Sequence, residues 1–276
     1  MPVITLPQGR LNVRVAGPEE SGRPPVVFLH PILADGALWR PVADRLAEQG
    51  VRSYAPDWPL GSHTLPLEPA ADRSPAGVAG MVSDFLAALD LRDVTLVGND
   101  TGGAIAQYVV DAGDERVSRV VLMNCDAFDV FPPFLVNLIL GPLRSVLAGR
   151  IALLPMRLRP VRHSWLGFGL LAKSLPAELT RSWIEPALRD RRIRFDLSRL
   201  LRNVRPAELQ GVTSRLARAT VPITVLWGTG DRVFRPSLGR RLADTIGTDL
   251  VPVDRARTLL ALDAPDAVVA AIRAAA

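Results

Sequence analysis

The sequence predicts an α/β fold: a mostly parallel central sheet flanked by helices, with a helical segment inserted before its last strands. Three observations carry this reading. Apolar clusters at residues 26–29, 94–97, 120–123 and 223–227 are short, rich in branched residues and free of polar alternation, which is how strands buried on both faces read. Helix-forming stretches separate them, as right-handed crossovers between parallel strands require. The alternation lapses after Asn124 and resumes at Val221-Pro222-Ile223.

Residues 3–6 and 11–15, turning around Gln8-Gly9, read as an antiparallel hairpin at the sheet edge. The strand at 26–29 ends in His30 and is followed by a helix over 41–48, a strand over 52–55 and a helix over 75–89. The strand at 94–97 leads through a glycine-rich turn into a helix over 104–110, and the strand at 120–123 follows. Phe131-Pro132-Pro133 then opens a stretch with helical but no strand-like patterning. Beyond it come the strand at 223–227 and helices over 238–246 and 265–272. The predicted division is one core, residues 1–129 and 219–276, interrupted by a helical cap, residues 130–218.

With 276 residues, 48% hydrophobic and 22% charged, the chain has the size and composition of one large or two small globular domains. The single cysteine, Cys125, cannot close an intrachain disulfide, and residues 1–10 lack the basic-then-apolar pattern of a secretory leader. The apolar run at 134–143 is cut by Asn137, Gly141 and Pro142, too short to span a bilayer. A cytoplasmic protein with no membrane partner is expected. The net charge of +5 is unevenly placed: residues 130–218 hold 15 arginines and Lys173 against five acidic residues. Lys173 is the only lysine, so the arginine excess reads as solvated, snorkelling side chains and no nucleic-acid partner is expected. A sharper reading is an anionic or large planar substrate drawn to that segment.

The chemistry starts at Gly98-Asn99-Asp100-Thr101-Gly102-Gly103, between a strand and a helix. Small residues two before and two after a central side chain are the spacing of a nucleophile elbow, a strained turn that thrusts that side chain into a pocket. Helix capping alone would explain Asp100 but not glycines on both sides. With His30 ending an earlier strand and Gly228-Thr229-Gly230-Asp231 following a later one, the chain resembles the α/β-hydrolase fold superfamily over nearly its whole length. Within it the resemblance is to the aspartate-nucleophile branch, which includes epoxide hydrolases and haloalkane dehalogenases. This implies an α/β-hydrolase fold with a cap roofing the pocket. It also implies attack on an sp3 carbon, because acyl transfer is normally run with serine or cysteine.

By the same resemblance Asp231 is the acid that orients the base, while Asp126, at a position some members use instead, reads as a strand-end turn residue. The base departs from the pattern: where the family has Gly-His before a proline-led helix, this chain has Arg257-Thr258 before Pro265. Threonine is no general base near neutral pH. Of the three histidines, His63, in a loop at the active-site edge, is the expected replacement, against a plainer reading as a hydrogen-bonded loop residue. His30 is expected to be structural, beside the oxyanion hole, and His163 to face either the pocket or solvent. Thr101 N–H and the N–H of Ile32 or Leu33 should form the oxyanion hole, Pro31 having none. His30, Trp58, Asn99, His163, Trp165, Trp183 and Thr258 are the pocket candidates.

Two subfamily marks are missing. The only tyrosines, Tyr54 and Tyr108, lie in the core rather than the cap, and Thr101 stands where dehalogenases carry a halide-binding tryptophan. The expected function is therefore an enzyme of specialised metabolism that works on an epoxide-like or other alkyl electrophile without water as obligatory acceptor, by epoxide opening, cyclisation or carbon–carbon bond formation. A hydrolase with a relocated base and a non-catalytic binding protein are the alternatives. No cofactor is expected, and the partner is a small hydrophobic or aromatic substrate of a monomer or homodimer.

Overall fold

Eight strands form one sheet: β1 (Val3–Leu6), β2 (Gly9–Ala16), β3 (Val26–Leu29), β4 (Ser53–Pro56), β5 (Val94–Asp100), β6 (Val117–Cys125), β7 (Ile223–Gly228) and β8 (Leu250–Val253). Their spatial order is β1-β2-β4-β3-β5-β6-β7-β8. The first two pairings, β1 with β2 and β2 with β4, are antiparallel, and every later one is parallel. The structure is a computed structural model and describes residues 1–274. The α/β class and the edge hairpin are as expected. β8 escaped the sequence reading because most of its side chains are exposed or half-buried and Pro252 interrupts it, which suits an edge strand but weakens the apolar signal.

The lack of alternation in the central strands has a direct cause. In β3, Val27 and Leu29 join one buried cluster while Val26 and Phe28 join the other. The same division runs through β6, with Val120 and Leu122 opposite Val121 and Met123. Both faces are covered, so every position is apolar. One cluster takes in α2 (Pro75–Ala88) and α3 (Thr101–Asp111), and the other α1 (Arg40–Glu48) with residues from the C-terminal helices.

Between β6 and β7 the described chain adds no strand to the sheet. It runs through α4 (Phe134–Leu140), α5 (Val146–Leu153), α6 (Arg159–Arg162), α7 (Ala177–Arg189), α8 (Arg191–Asn203) and α9 (Pro206–Arg215). The last of these lies against α3, where Leu209 and Val212 join its apolar cluster and the Thr213 hydroxyl donates to Gln107 Oε1 at 2.6 Å. After β7 come α10 (Pro236–Ile246), α11 (Leu260–Asp263) and α12 (Pro265–Ala274).

The turn from β5 into α3 positions the site. Asp100 adopts φ 56° and ψ −125°, a region that a residue with a side chain occupies only under constraint. The surrounding glycines make this approach sterically possible. A Cβ at Gly98 would sit 2.6 Å from the Gly102 carbonyl oxygen, and one at Gly102 would sit 2.2 Å from the Leu29 carbonyl oxygen. Since backbone atoms cannot swing aside, Gly102→Ala should destabilise the fold by about 3 kcal/mol or more. Gly80→Ala, in α2 with nothing within 4 Å of the new Cβ, should be neutral or stabilising by up to about 1 kcal/mol. Denaturant unfolding of the two variants measures the contrast.

Candidate functional site

The Asp100 side chain reaches a cavity of about 160 Å³ beneath the inserted helices. Its walls are almost wholly apolar: Ile32 and Leu33 from the loop after β3, Leu140 from α4, Leu153 from α5 and Phe168 from the segment before α7. Arg232, beside Asp231, is the cationic side chain among them. A smaller pocket, lined by Phe131, Leu200 and Phe234, also has Asp100 and Ile32 on its wall.

Asp100 Oδ1 accepts hydrogen bonds from the Thr101 backbone N–H and, at 2.9 Å, from the Thr101 hydroxyl. Burial nevertheless pushes its pKa up to about 7, the Thr101 hydrogen bonds opposing the rise and the nearby Asp231 charge adding to it. Near neutrality Asp100 therefore divides between acid and carboxylate. The Ile32 N–H has no acceptor among the described residues, whereas Leu33 N–H donates to Leu60 O at 2.9 Å. Of the two loop donors considered from the sequence, Ile32 is the one left free.

Asp231 lies in the turn after β7 and is fully engaged. Its Oδ1 accepts the backbone N–H groups of Val233 and Phe234, at 2.7 and 3.0 Å. Its Oδ2 accepts Asn124 Nδ2 at 2.7 Å and the Thr258 hydroxyl at 2.9 Å. Burial pushes its pKa up, and these four hydrogen bonds oppose the rise. Thr258, fully buried, also offers its carbonyl to Asn99 Nδ2 at 2.9 Å. Asn99 further donates to Met123 O and Asn124 O, so it fastens the elbow to the end of β6 and to the Thr258 loop rather than facing the cavity. Asn124 was missed from the sequence. Its φ of 21°, in a region that favours asparagine, is the local mark of its special place, and its Oδ1 also holds Gly228 N–H at 2.7 Å.

The histidines do not gather at Asp100. His30 is entirely buried; its Nδ1–H donates to Pro31 O at 2.8 Å and its Nε2 accepts the Trp58 N–H at 2.9 Å. Burial drives its pKa down to about 4, so it is a neutral brace for the loop that carries Ile32. Trp58 sits in the core, its indole N–H on Phe28 O, not in the pocket. His63 corrects the sequence expectation of a replacement base. Its Nδ1 accepts Gly61 N–H at 3.4 Å and its Nε2–H donates to Asp196 Oδ2 at 3.2 Å, leaving no nitrogen for Asp100. Asp196, on α8, is held as well by Arg73 Nε at 2.6 Å and Leu67 N–H at 3.0 Å. This is a buried structural network, of the kind that loses its geometry when one partner leaves.

His163 faces Thr180 Oγ1 at 2.8 Å and lies outside the cavity lining. Trp183 is buried behind the cavity wall, edge-on to Phe168 with ring centroids 5.1 Å apart. Trp165, 57% exposed, lines the cavity. Asp126 also differs from the turn residue expected. It is buried with both carboxyl oxygens unpaired among the described residues, and it follows Cys125, the sheet partner of Asp100. Burial, followed by the Asp100 charge, pushes its pKa well above the ordinary value of an aspartate.

Comparison with known proteins agrees with this architecture. A non-heme chloroperoxidase of Kitasatospora aureofaciens is 32% identical over 114 residues, 41% of this chain and 39% of that protein. A haloalkane dehalogenase of Agrobacterium fabrum is 33% identical over 121 residues, 42% of this chain and 39% of that protein. The alignments thus span about two fifths of these curated relatives. Among solved structures, the haloalkane dehalogenase DbeA of Bradyrhizobium elkani has a TM-score of 0.78 at 18% identity, covering 99% of this chain and 98% of the other. A thermophilic esterase of Thermogutta terrifontis has a TM-score of 0.73 at 19% identity, covering 99% and 97%. Such identities speak for the fold alone. The family described as the alpha/beta hydrolase fold matches residues 24–256, and the chain belongs to that family.

Proposed function

We propose that this chain is an enzyme of the aspartate-nucleophile branch, with Asp100 as its reactive group and an apolar molecule bearing an electrophilic sp3 carbon, epoxide-like or halide-like, as its substrate. Water is not its obligatory acceptor. The observation that carries the reading is the hydrogen bond from the Thr258 hydroxyl to Asp231 Oδ2 at 2.9 Å, where the resemblance leads one to expect an imidazole. Both nitrogens of His30 and of His63 are engaged elsewhere, which supports the absence of a water-activating base.

In the proposed step the Asp100 carboxylate attacks the carbon, an ester C–O bond forms and the bond from carbon to halide or epoxide oxygen breaks; a halide departs as the anion, whereas an epoxide oxygen stays on the substrate as an alkoxide that takes a proton from solvent. Thr101 N–H, which donates to the carboxyl, and the free Ile32 N–H on the wall of the same cavity take the place of an oxyanion hole. Without a base to activate water, the ester persists until an internal nucleophile of the substrate displaces it, giving ring closure or a new carbon–carbon bond in specialised metabolism. The dehalogenase among the relatives favours the halide-like case, and Arg232 in the wall suits a substrate with an anionic group. This mechanism requires no cofactor.

The test uses 1-bromohexane and 1,2-epoxyhexane as probes, with intact-protein and peptide mass analysis. One alkyl group is expected on the peptide carrying Asp100, and none on Asp100→Asn, a change that alters volume little. Alkylation should rise with pH through a midpoint near 7, because only the carboxylate attacks and burial holds its pKa at about 7. An unmodified Asp100, or rapid multiple turnover with ¹⁸O from water in the product, overturns the reading.

Stability should carry the same signature. Asp100 binds its proton more tightly in the folded state than in the unfolded chain, where its pKa is about 3.9. The wild type therefore loses stability as pH rises from about 4 to about 7, whereas Asp100→Asn should lack that contribution and be the more stable protein at pH 8. Unfolding midpoints across this range give the comparison.

A further inference from the structure

Residues 130–177 contain Arg144, Arg150, Arg157, Arg159, Arg162 and Lys173 and not one aspartate or glutamate. The same stretch holds eight of the twelve large apolar side chains that stand exposed among the described residues. On α4, Phe134 is 85% and Leu138 67% exposed, one turn apart on one face. Through α5 and the turn after it, Leu147, Ile151, Leu154 and Leu158 recur at i, i+4, i+7 and i+11, and all four are exposed. Leu143, Leu153 and Met156 of the same region are buried. A helical segment that is apolar on both its buried and its outer face has a second apolar environment to meet.

Charge says which environment. Arg144 and Arg162 direct their guanidinium groups at neighbouring oxygens, Arg162 to Met156 O and Thr180 Oγ1, Arg144 to Asn137 Oδ1. Arg150, Arg157 and Arg159 are exposed, and none of the six cations makes an ion pair among the described residues. Apolar side chains interleaved with unpaired arginines, and an exposed tryptophan at the edge, match an anionic lipid surface. A second copy of this chain would bring the same cations against themselves, which disfavours a self-complementary interface.

We propose that this face docks on an anionic lipid bilayer, lying in the interface without crossing it. Among the described residues no helix is long and apolar enough to cross a membrane, and the sequence expectation of no membrane partner rested on that requirement alone. The cavity above Asp100 has walls from the docking elements themselves: Val136 and Ile139 of α4, Ala152 of α5, and Trp165 with Leu166. A substrate dissolved in the lipid thus enters the cavity from the docked face. The docking claim stands apart from the Asp100 chemistry and is tested without it.

The probes are vesicles of phosphatidylcholine alone and of phosphatidylcholine mixed with phosphatidylglycerol. Trp39, Trp58, Trp183 and Trp227 are all 1% exposed or less, so a blue shift of intrinsic fluorescence on adding vesicles reports Trp165, and Trp165→Phe should abolish it. The full chain should co-sediment with the anionic vesicles, more weakly as salt rises, and bind phosphatidylcholine alone at least about tenfold more weakly. Leu147→Asp with Ile151→Asp, at exposed positions outside the cavity lining, should reduce binding at least about tenfold while leaving the unfolding midpoint unchanged. Absence of binding to anionic vesicles at low salt overturns the proposal, as does binding that the double variant leaves intact. So does a concentration-dependent dimer in sedimentation velocity that the same double variant dissolves, which would make the face a contact between copies.

Discussion

The turn at Asp100 is the constraint on which the rest of this structure depends. A non-glycine residue at φ 56° persists only where its neighbours leave no alternative. Here the strand before it is paired on both sides, with β3 and β6, and the helix after it packs so closely that Gly102 rests against the β3 backbone. The strain and the close packing have a common outcome: one carboxyl is lifted out of the sheet plane into an apolar cavity. Burial then sets its chemistry, because a carboxyl deprived of water holds its proton to about pH 7.

Asp231, Asp126 and Asp100 lie at the ends of the neighbouring strands β7, β6 and β5, and their surroundings give them different characters. Asp231 has four donors and is satisfied as a carboxylate would wish to be. Asp126 has no donor within hydrogen-bond geometry among the described residues, and burial pushes its pKa up. Asp100 stands between, held by Thr101 alone, and is the one that touches the cavity. Environments that separate the titrations of neighbouring acids in this way are how a site assigns reactive and structural roles to one residue type.

Much of the fold was legible because burial on both faces of a parallel sheet writes itself into short, unbroken apolar runs. The runs understate the strands: β5 extends through Gly98-Asn99-Asp100 and β6 starts at Val117-Ser118-Arg119, where polarity hides the pairing. Asp100 and Thr101 were legible from the spacing of the elbow, Asp231 and Thr258 from the resemblance that the elbow carries, and the structure connects Asp100 to Thr101 and Asp231 to Thr258 by hydrogen bonds. His63 misled because its partner, Asp196, is 133 residues away on an inserted helix, and no local pattern announces such a pairing. Asn124 was passed over because a strand-end asparagine has no signature until the turn from β7 is folded against it.

The central claim is that this scaffold holds a nucleophile without a base to release it by water. The lifetime of the alkyl ester on Asp100 tests that claim most directly. After a pulse of 1-bromohexane, the adduct would be followed by mass analysis in H₂¹⁸O for the wild type and for Thr258→His, which puts an imidazole beside Asp231. The account predicts an ester that outlasts the pulse in the wild type and decays faster in Thr258→His, with ¹⁸O entering the Asp100 carboxyl. A wild-type ester that decays as fast as that of the variant, with the same ¹⁸O uptake, would contradict it.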